Sequence, residues 1–269
     1  MLETVQSPFM MEYIRSFKDS QYIYFLTEFI NGMELFDVIR IIGLLTPSQS
    51  RFYGAIMLHA LETLHSNSIM YRDLKPENVM VCENGYLKLI DMGTCKKINP
   101  KTAKKTFTII GTPNYMAPEI LSGKGYNYSV DLWSLGVVLY EFMAGYVPFG
   151  EDAEDPYEIY QEILKNPLSF PKHMRDPVSN SFVSQLLSKN PDSRLGGSYS
   201  DLKKHVFFQG FDWHHLINKK MKPCFELPKD KLVNCEKLKP NAKPLKSVLK
   251  PQKVPVLRKD MKENWDECF

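Results

Sequence analysis

The chain has 269 residues, of which 43% are hydrophobic and 24% are charged, a composition typical of globular proteins. This composition excludes a collagen-like or wholly disordered chain, and the length suffices for one large domain or two small ones. Residues 1–217 contain 20 basic and 24 acidic side chains, whereas residues 218–262 contain 14 basic and 4 acidic ones. An acidic body therefore precedes a basic tail.

No segment of the sequence predicts membrane insertion or secretion. The longest apolar stretch, 136–149, is interrupted by Glu141, and the first basic residue, Arg15, comes too late for a signal peptide. The five cysteines form no Cys-x-x-Cys pair, which favours a reducing compartment over a disulfide framework or a zinc site. We therefore expect a cytoplasmic protein without a transmembrane segment.

The amino-terminal part alternates between strand and helix signals. Aromatic and β-branched residues predict two hairpin strands, and Asn31-Gly32 predicts a turn after them. Thr46 and Gln49 form a capping box before an amphipathic helix, and Asn84-Gly85 predicts a second hairpin. The predicted ranges are the end of a helix over 1–6, strands over 10–17 and 21–29, a helix over 34–41, and strands over 79–82 and 86–90.

The second half of the chain is predicted to be mostly helical. Residues 92–128 are expected to be irregular, but residues 129–144 are apolar nearly all round and predict a buried helix that ends at Gly145. The basic, proline-rich run 226–260 predicts an extended or mobile tail, and its lack of aromatic residues argues against nucleic-acid binding. Shorter helices are predicted near 156–165, 179–189 and 201–207.

The residues that carry chemistry lie on loops in a fixed order. Asp73, Lys75 and Asn78 share one segment between a helix and a hairpin, and Asp91 follows an apolar strand 13 residues after Asn78. Two acids and an amide in this arrangement can hold Mg²⁺ and orient a hydroxyl group. The full series is Tyr71-Arg72-Asp73-Leu74-Lys75-Pro76-Glu77-Asn78, Asp91-Met92-Gly93, Gly111-Thr112-Pro113 and Ala117-Pro118-Glu119.

In this order and spacing, the motifs resemble those of the eukaryotic protein kinases. Tyr71 in place of the usual His is similar to the AGC group of Ser/Thr kinases, and the segments 190–196, 208–213 and 265–269 resemble cyclic-GMP-dependent protein kinases. The resemblance implies an α+β, bilobal kinase fold with a truncated β-rich small lobe, a helical large lobe and an extended C-terminal tail. It implies a protein kinase domain over 1–208, N-terminally incomplete, and an AGC-kinase tail over 209–269.

The resemblance also implies a role for each matching residue, with ATP and Mg²⁺ as cofactors. Asp73 matches the catalytic base, Lys75 the residue that neutralises the transferring phosphate, and Asn78 and Asp91 the Mg²⁺ ligands. Thr108 matches the activation-loop phosphorylation site, with Arg72 as its partner. Thr112 matches a residue that favours Ser/Thr acceptors. Around the ATP site, Thr27 matches the gatekeeper, and Glu28 and Ile30 match the hinge. Glu34 matches the ribose contact, and Met80 matches the floor of the adenine site.

Three acidic residues match positions that hold substrate Arg side chains before the phosphoacceptor: Glu34, Glu77 and Glu141. We therefore expect protein or peptide substrates with basic residues before Ser or Thr. The opposite interpretation, in which Glu141 has an internal basic partner, remains open. By the same resemblance, Glu119 would pair with Arg194, and Asp131 would hold the catalytic loop by hydrogen bonds.

The sequence departs from the kinase pattern in two places. Met92 replaces the usual Phe, which we expect to be tolerated, and no Gly-x-Gly-x-x-Gly or Val-Ala-Ile-Lys motif precedes the hinge. The expectation is a kinase whose sequence starts late, with phosphotransfer at least on the order of 10³-fold below that of a complete relative. An incomplete small lobe would expose the apolar face of its hairpin and leave the terminal Trp265 and Phe269 mobile.

Two functions remain open at this stage. The first is a Ser/Thr kinase of the cyclic-GMP-dependent type, whose regulatory cyclic-nucleotide domains would lie outside this chain. The alternative is a catalytically impaired pseudokinase or fragment that acts as a binding scaffold. Because Asp73, Asn78 and Asp91 are all present, we favour the enzyme.

Overall fold

The computed structural model describes residues 5–19, 22–98 and 105–233. The predicted helical turn over 1–6 falls mainly outside these residues, and the segment 265–269 falls entirely outside them. Small antiparallel sheets and a helical region together make an α+β fold, as predicted. Among the described residues, no helix is long and apolar enough to cross a membrane.

The strands form three small sheets, with the orders β1-β2, β3-β5-β6 and β4-β7. The strands are β1 (Tyr13–Lys18), β2 (Ile23–Thr27), β3 (Gly32–Glu34), β4 (Ile69–Met70), β5 (Val79–Cys82), β6 (Leu87–Leu89) and β7 (Lys96–Lys97). The helices are α1 (Leu35–Ile42), α2 (Pro47–Ser66), α3 (Pro118–Leu121), α4 (Ser129–Ala144), α5 (Pro156–Lys165), α6 (Pro177–Leu186), α7 (Asp192–Leu195), α8 (Tyr199–Lys203) and α9 (Trp213–Ile217). Short 3₁₀ helices span Pro76–Asn78, Pro113–Tyr115, Val206–Phe208 and Lys229–Lys231.

The two long helices α2 and α4 form the centre of the core. The predicted capping box of α2 is confirmed, because Gln49 N donates to Thr46 Oγ1 at 3.3 Å and the Gln49 side chain accepts from Thr46 N at 2.9 Å. The predicted span of α4 is also confirmed, and Gly145 ends it in the left-handed conformation at φ 88°. Because nearly all of α4 is buried, neighbouring helices such as α2, α6 and α7 pack directly against it.

The predicted turn at Asn31-Gly32 is wrong, because Gly32 begins strand β3. It lies opposite Cys82, and a Cβ added to Gly32 would lie only 2.1 Å from the carbonyl oxygen of Val81. Glycine is therefore used here for close strand approach and not for a turn. The consequence is that Glu34, the last residue of β3, lies opposite Met80 of β5.

The β1-β2 hairpin exposes large apolar side chains. Ile14, Phe25 and Phe29 are 52%, 57% and 65% exposed, as predicted for a hairpin without further cover. The hairpin also begins later than expected, with an irregular register between Tyr13 and Arg15. In contrast, the β5-β6 hairpin around Gly85, which has a φ of 73°, is confirmed.

The region between β6 and α4 is mostly irregular, as predicted, but it contains β7, the 3₁₀ helix Pro113–Tyr115 and α3. Two of the predicted later helices are displaced: α6 begins before residue 179, and the helix expected over 201–207 is divided into α8 and a 3₁₀ turn. Proline at the first position of α6 and the Asp176 cap explain its earlier start.

The predicted pair of Glu119 and Arg194 is confirmed as a two-pronged ion pair. Arg194 Nη1 lies 2.6 Å from Glu119 Oε1, and Nη2 lies 2.8 Å from Oε2. Both residues are buried, so the pair ties α3 to α7 within the interior. The arrangement is structural, as the sequence predicted.

The described part of the tail lies against the β5-β6 turn. Tyr86 donates its hydroxyl hydrogen to the carbonyl of Met221, and Leu227 is buried. Further along, Val233 N donates to Asn31 Oδ1 at 2.9 Å, and Asn31 Nδ2 donates to Val233 O at 3.1 Å. The start of the basic run therefore contains the 3₁₀ helix Lys229–Lys231 and is attached to the segment between β2 and β3.

Candidate active site

The loop that contains Asp73 is anchored by a buried carboxylate on α4. Asp131 is fully buried, its Oδ2 accepts from Tyr71 N at 2.9 Å, and its Oδ1 accepts from Arg72 N at 2.7 Å. These bonds confirm the predicted role of Asp131. One of the two bonds is made by Arg72 itself, which has a φ of 72°, a conformation that is uncommon for residues other than glycine. The core helix α4 thus sets the backbone immediately before Asp73.

Asp73 lies at the centre of a hydrogen-bonded group formed by the predicted catalytic residues. Its Oδ1 accepts from the backbone N and the hydroxyl of Thr112, at 3.1 and 3.0 Å. Its Oδ2 accepts from Asn78 Nδ2 at 2.8 Å and lies 3.5 Å from Lys75 Nζ. Lys75 in turn donates to Thr112 Oγ1 at 2.7 Å. Three residues from two loops therefore orient one carboxylate.

Asn78 and Asp91 are brought together by backbone bonds at the ends of β5 and β6. Ile90 N donates to Asn78 O at 3.0 Å, and the hydroxyl of Tyr71 donates to Ile90 O at 2.5 Å. Burial raises the pKa of Tyr71 well above its ordinary value, so this phenol remains a donor. Asp91 has a φ of 46°, and its Oδ1 accepts from Gly93 N. The DMG turn therefore follows directly from the strand that bonds to Asn78.

Met92, which replaces the usual Phe, contacts Cys95. The Cys95 thiol lies 3.6 Å from the Met92 sulfur, and burial raises the pKa of that thiol to about 12. Both side chains border a small cavity of about 20 Å³ beneath β1. Met92 thus fills apolar space, consistent with the flexibility of its side chain.

The residues predicted to contact ATP are linked across the two sheets through Lys88. Lys88 on β6 lies opposite Met80 on β5. Its ammonium group forms an ion pair with Glu28, which follows Thr27 at the end of β2. Glu34 lies opposite Met80 on its other side. The half-buried Ile30 lies between β2 and β3. The structure therefore places the predicted ATP-contact residues along a continuous path from the hairpin to β5.

Arg72 and Thr108 are connected through a tyrosine that sequence reasoning missed. Tyr126 donates its hydroxyl hydrogen to Thr108 O at 2.6 Å and accepts from Arg72 Nη1 at 3.4 Å. The nearby Lys96 donates to the hydroxyl of Thr106 at 2.8 Å. Thr108 itself is exposed. Its backbone is therefore held near Arg72 while its side chain remains accessible.

Glu77 and Glu141 form an acidic site around Tyr115. The hydroxyl of Tyr115 donates to Glu141 Oε2 at 2.7 Å, so the hydrogen-bond partner of Glu141 is a phenol and not a base. Burial raises the pKa of Glu141 from 4.5 to about 6; the bond from Tyr115 and the positive charge of Arg40 oppose the shift, and the carboxylates of Glu77 and Glu151 add to it. Glu77 Oε2 is buried and has no hydrogen-bond partner among the described residues. Both acids therefore retain unmet capacity to accept hydrogen bonds.

A dedicated metal cage is absent from the part of the chain that the structure describes. There, no group of three or more His, Cys, Asp or Glu side chains could hold an ion. Mg²⁺ is commonly held by one or two carboxylates together with substrate phosphates, so a pair of ligands fits this ion better than a closed cage would. The donor set of Asn78 and Asp91 is compatible with that mode.

An anchored catalytic-loop carboxylate, a DMG turn and an α+β fold define the class of protein. A family model described as protein kinase domain matches residues 1–208. The chain therefore belongs to the protein kinase family.

The chain is similar to cyclic-nucleotide-dependent members of this family. It is 47% identical over 219 residues to a cGMP-dependent protein kinase of Plasmodium berghei and 46% identical over 219 residues to one of Toxoplasma gondii. These alignments cover 80% of this chain but only 25% and 22% of the two relatives. It is also 40% identical over 225 residues to a cAMP-dependent protein kinase catalytic subunit of Drosophila melanogaster, covering 82% of this chain and 37% of that protein. These similarities agree with the AGC-group resemblance.

Proposed function

We propose that this chain is a Ser/Thr protein kinase catalytic domain that phosphorylates basic-context protein substrates. The observation that supports this most directly is the arrangement around Asp73, whose two carboxylate oxygens receive hydrogen bonds from Thr112 and Asn78 and an ionic contact from Lys75. A carboxylate oriented in this way can accept the proton of a substrate hydroxyl. We propose a kinase domain over 1–208 and a tail over 209–269.

In the proposed mechanism, Asp73 orients the attacking hydroxyl and receives its proton. Thr112 donates two hydrogen bonds to Oδ1, whereas Oδ2 accepts one hydrogen bond, from Asn78, and lies beside Lys75 Nζ, so the remaining acceptor position of Oδ2 is proposed to face the substrate. Lys75 would then leave its contact with Asp73 to balance charge on the transferring phosphoryl group, because a positive group near developing negative charge lowers the barrier. Protein kinases in general use ATP with Mg²⁺, which supply the phosphoryl group and neutralise its charge.

The two proposed Mg²⁺ ligands have oxygens left for a cation. The Asn78 amide uses its nitrogen to donate to Asp73, and among the described residues its side-chain oxygen accepts no hydrogen bond. The single hydrogen bond to the Asp91 carboxylate there goes to Oδ1, so Oδ2 is available. Amide and carboxylate oxygens are suitable ligands for Mg²⁺.

Substrate selection is proposed to depend on Glu34, Glu77 and Glu141. The buried, unpartnered oxygen of Glu77 and the raised pKa of Glu141 both indicate carboxylates that a substrate guanidinium would stabilise. Glu34 is exposed at the end of β3. We therefore propose that Arg-rich peptides bind better than acidic ones.

Phosphorylation of Thr108 is proposed to activate the enzyme. The added group carries about −1.5 to −2 charges, and Arg72 lies within reach through the Tyr126 contact to the Thr108 carbonyl. Pairing with Arg72 would hold the residue that precedes Asp73. We expect Thr108→Ala to reduce phosphotransfer relative to wild-type protein whose phosphorylation at Thr108 has been verified by mass spectrometry. Equal activity of the variant and this wild-type protein would refute the role.

We propose further that cyclic-nucleotide-binding domains outside this chain regulate it, and that it acts in the cytoplasm. The similarity to cGMP-dependent kinases supports the first statement, and the three cysteines that are free in the described part of the chain, Cys82, Cys95 and Cys224, support the second.

The test is phosphate transfer from labelled ATP to Arg-rich and acidic Ser peptides by the 269-residue chain. Asp73→Asn should abolish transfer above background, whereas Asp152→Asn, a change to an exposed acid, should not affect it. Glu77→Ala and Glu141→Ala should reduce the preference for Arg-rich peptides. Peptide binding without any Asp73-dependent transfer would instead favour the scaffold function.

A further inference from the structure

A chain of side-chain hydrogen bonds connects α8 to the catalytic loop. The hydroxyl of Tyr199, the first residue of α8, lies 2.6 Å from His65 Nδ1, and His65 Nε2 lies 2.7 Å from Asp131 Oδ2. Asp131 binds the backbone N–H groups that precede Asp73. We propose that Tyr199 is a positioning residue, which holds the catalytic loop by way of His65 and Asp131.

The direction of each hydrogen bond follows from the chemistry of the partners. An ionised Asp131 can only accept, and its two oxygens already receive two backbone N–H groups, so His65 Nε2 must donate to it. With His65 neutral, its other nitrogen is an acceptor, and the proposal requires that Tyr199 donate its hydroxyl hydrogen to it. Tyr199 therefore selects the His65 tautomer that can bind Asp131.

The environment favours a protonated phenol at this position. Burial raises the pKa of Tyr199 well above its ordinary value, and the negative charge of Asp131 adds to the shift. The imidazole of His65 is also enclosed by aromatic rings, with Tyr199 packed edge-on at 5.7 Å and Tyr128 tilted at 5.0 Å between centroids. Packing thus limits ring rotation, and of these two tyrosines only Tyr199 forms a hydrogen bond with the ring in the described structure.

The backbone held by this chain has an uncommon conformation. Arg72 lies at a positive φ, and its N–H is bound by Asp131. Such conformations persist when surrounding contacts determine them strongly. Loss of the correct His65 tautomer would remove one of the three hydrogen bonds to Asp131 and so loosen the Tyr71–Arg72 segment.

The expected effect is moderate, because water can reach the site. A cavity of about 420 Å³ lies beside His65 and is bordered by both Tyr128 and Tyr199. Water in this cavity could partly replace the phenol of Tyr199. The loss of a single hydrogen bond of ordinary strength corresponds to roughly a two- to tenfold change in the equilibrium constant for local opening of the backbone.

The test compares Tyr199→Phe with Tyr128→Phe in the full 269-residue chain. Both changes remove a phenol hydroxyl beside His65, but in the described structure only Tyr199 donates to that ring. We measure the ¹⁵N chemical shifts of His65, which report its tautomer, and the amide hydrogen exchange of Tyr71 and Arg72. Tyr199→Phe should lower the population of the Nε2–H tautomer and speed exchange of both amides by about two- to tenfold, whereas Tyr128→Phe should do neither.

A second pair of variants separates positioning from general loss of stability. His65→Gln can still donate to Asp131 and should preserve slow exchange at Tyr71 and Arg72, whereas His65→Ala should not. The proposal is overturned if Tyr199→Phe leaves the His65 tautomer and both amides unchanged, or if Tyr128→Phe has the same effect. The importance of this positioning for phosphotransfer rests on the proposed function. Neither readout requires activity, so an inactive chain would reject the proposed function without deciding the role of Tyr199.

Discussion

The buried ion pair between α3 and α7 is the contact whose loss should destabilise the protein most clearly. Arg194 has no exposed surface, and besides Glu119 it donates to Ser188 O at 2.9 Å and to Ser129 O at 3.0 Å. Its guanidinium also lies 5.1 Å from the ring centroid of Trp133. We predict the consequences of Arg194→Met, which retains an apolar side chain beside Trp133 but removes the charge and all donors.

The magnitude follows from what the substitution leaves behind. Removal of one member of a buried ion pair typically costs about 3–5 kcal/mol, because the remaining charge is buried without compensation. Two carbonyl groups also lose their donors, each worth about 0.5–1.5 kcal/mol. We therefore expect Arg194→Met to lower the free energy of unfolding by about 5 kcal/mol, at the upper end of the range for a buried ion pair. The double variant Arg194→Met with Glu119→Leu should regain much of this loss, because the uncompensated carboxylate is gone.

The assay is urea unfolding followed by circular dichroism. Arg175→Met is the matched control, since Arg175 is exposed and, among the described residues, its side chain donates only to the carbonyl of Lys172. We expect the control to unfold at nearly the wild-type urea concentration. A loss below about 1 kcal/mol for Arg194→Met, the range of exposed ion pairs, would refute the argument. So would a double variant that is less stable than Arg194→Met alone.

Three further outcomes follow from other contacts. Gly32→Ala should lower the free energy of unfolding by about 1–3 kcal/mol, because its Cβ would overlap Val81 O; urea unfolding that shows no loss would refute the steric argument. The folded state raises the pKa of Glu141 from 4.5 to about 6, so it binds this proton more tightly than the unfolded chain does, and the stability that the protonated form contributes is lost as pH rises through that range. Urea unfolding at successive pH values should show a decrease of about 2 kcal/mol from this group, which is absent in Glu141→Gln; identical pH profiles would contradict it. Thr112→Ala should lower peptide phosphorylation by roughly 10²-fold, because the hydroxyl group that orients the carboxylate of Asp73, the proposed base, is lost; Thr112→Ser should retain activity, and equal turnover by the alanine variant would exclude this role.

The sequence by itself determined the features that depend on neighbouring residues. Thr46 and Gln49 form a capping box within one helical turn, and Gly145 ends α4 in a left-handed conformation that glycine adopts readily. The loop motif around Asp73 was equally visible, because its acid, base and amide lie within six residues of one another. These features require only local backbone preference and short spacing.

Tertiary structure alone decided which distant groups meet. Asn31-Gly32 carries a local turn signal, yet Gly32 is a strand residue because β5, 49 residues further on, packs against its Cα. Glu141 has a phenol as its partner, although its position in the chain was equally compatible with a base. His65 and Tyr199 are separated by 134 residues, and no pattern in either segment indicates their contact. A buried polar group is satisfied by whatever donor the packing of helices brings within 3 Å, and that packing is a property of the whole core.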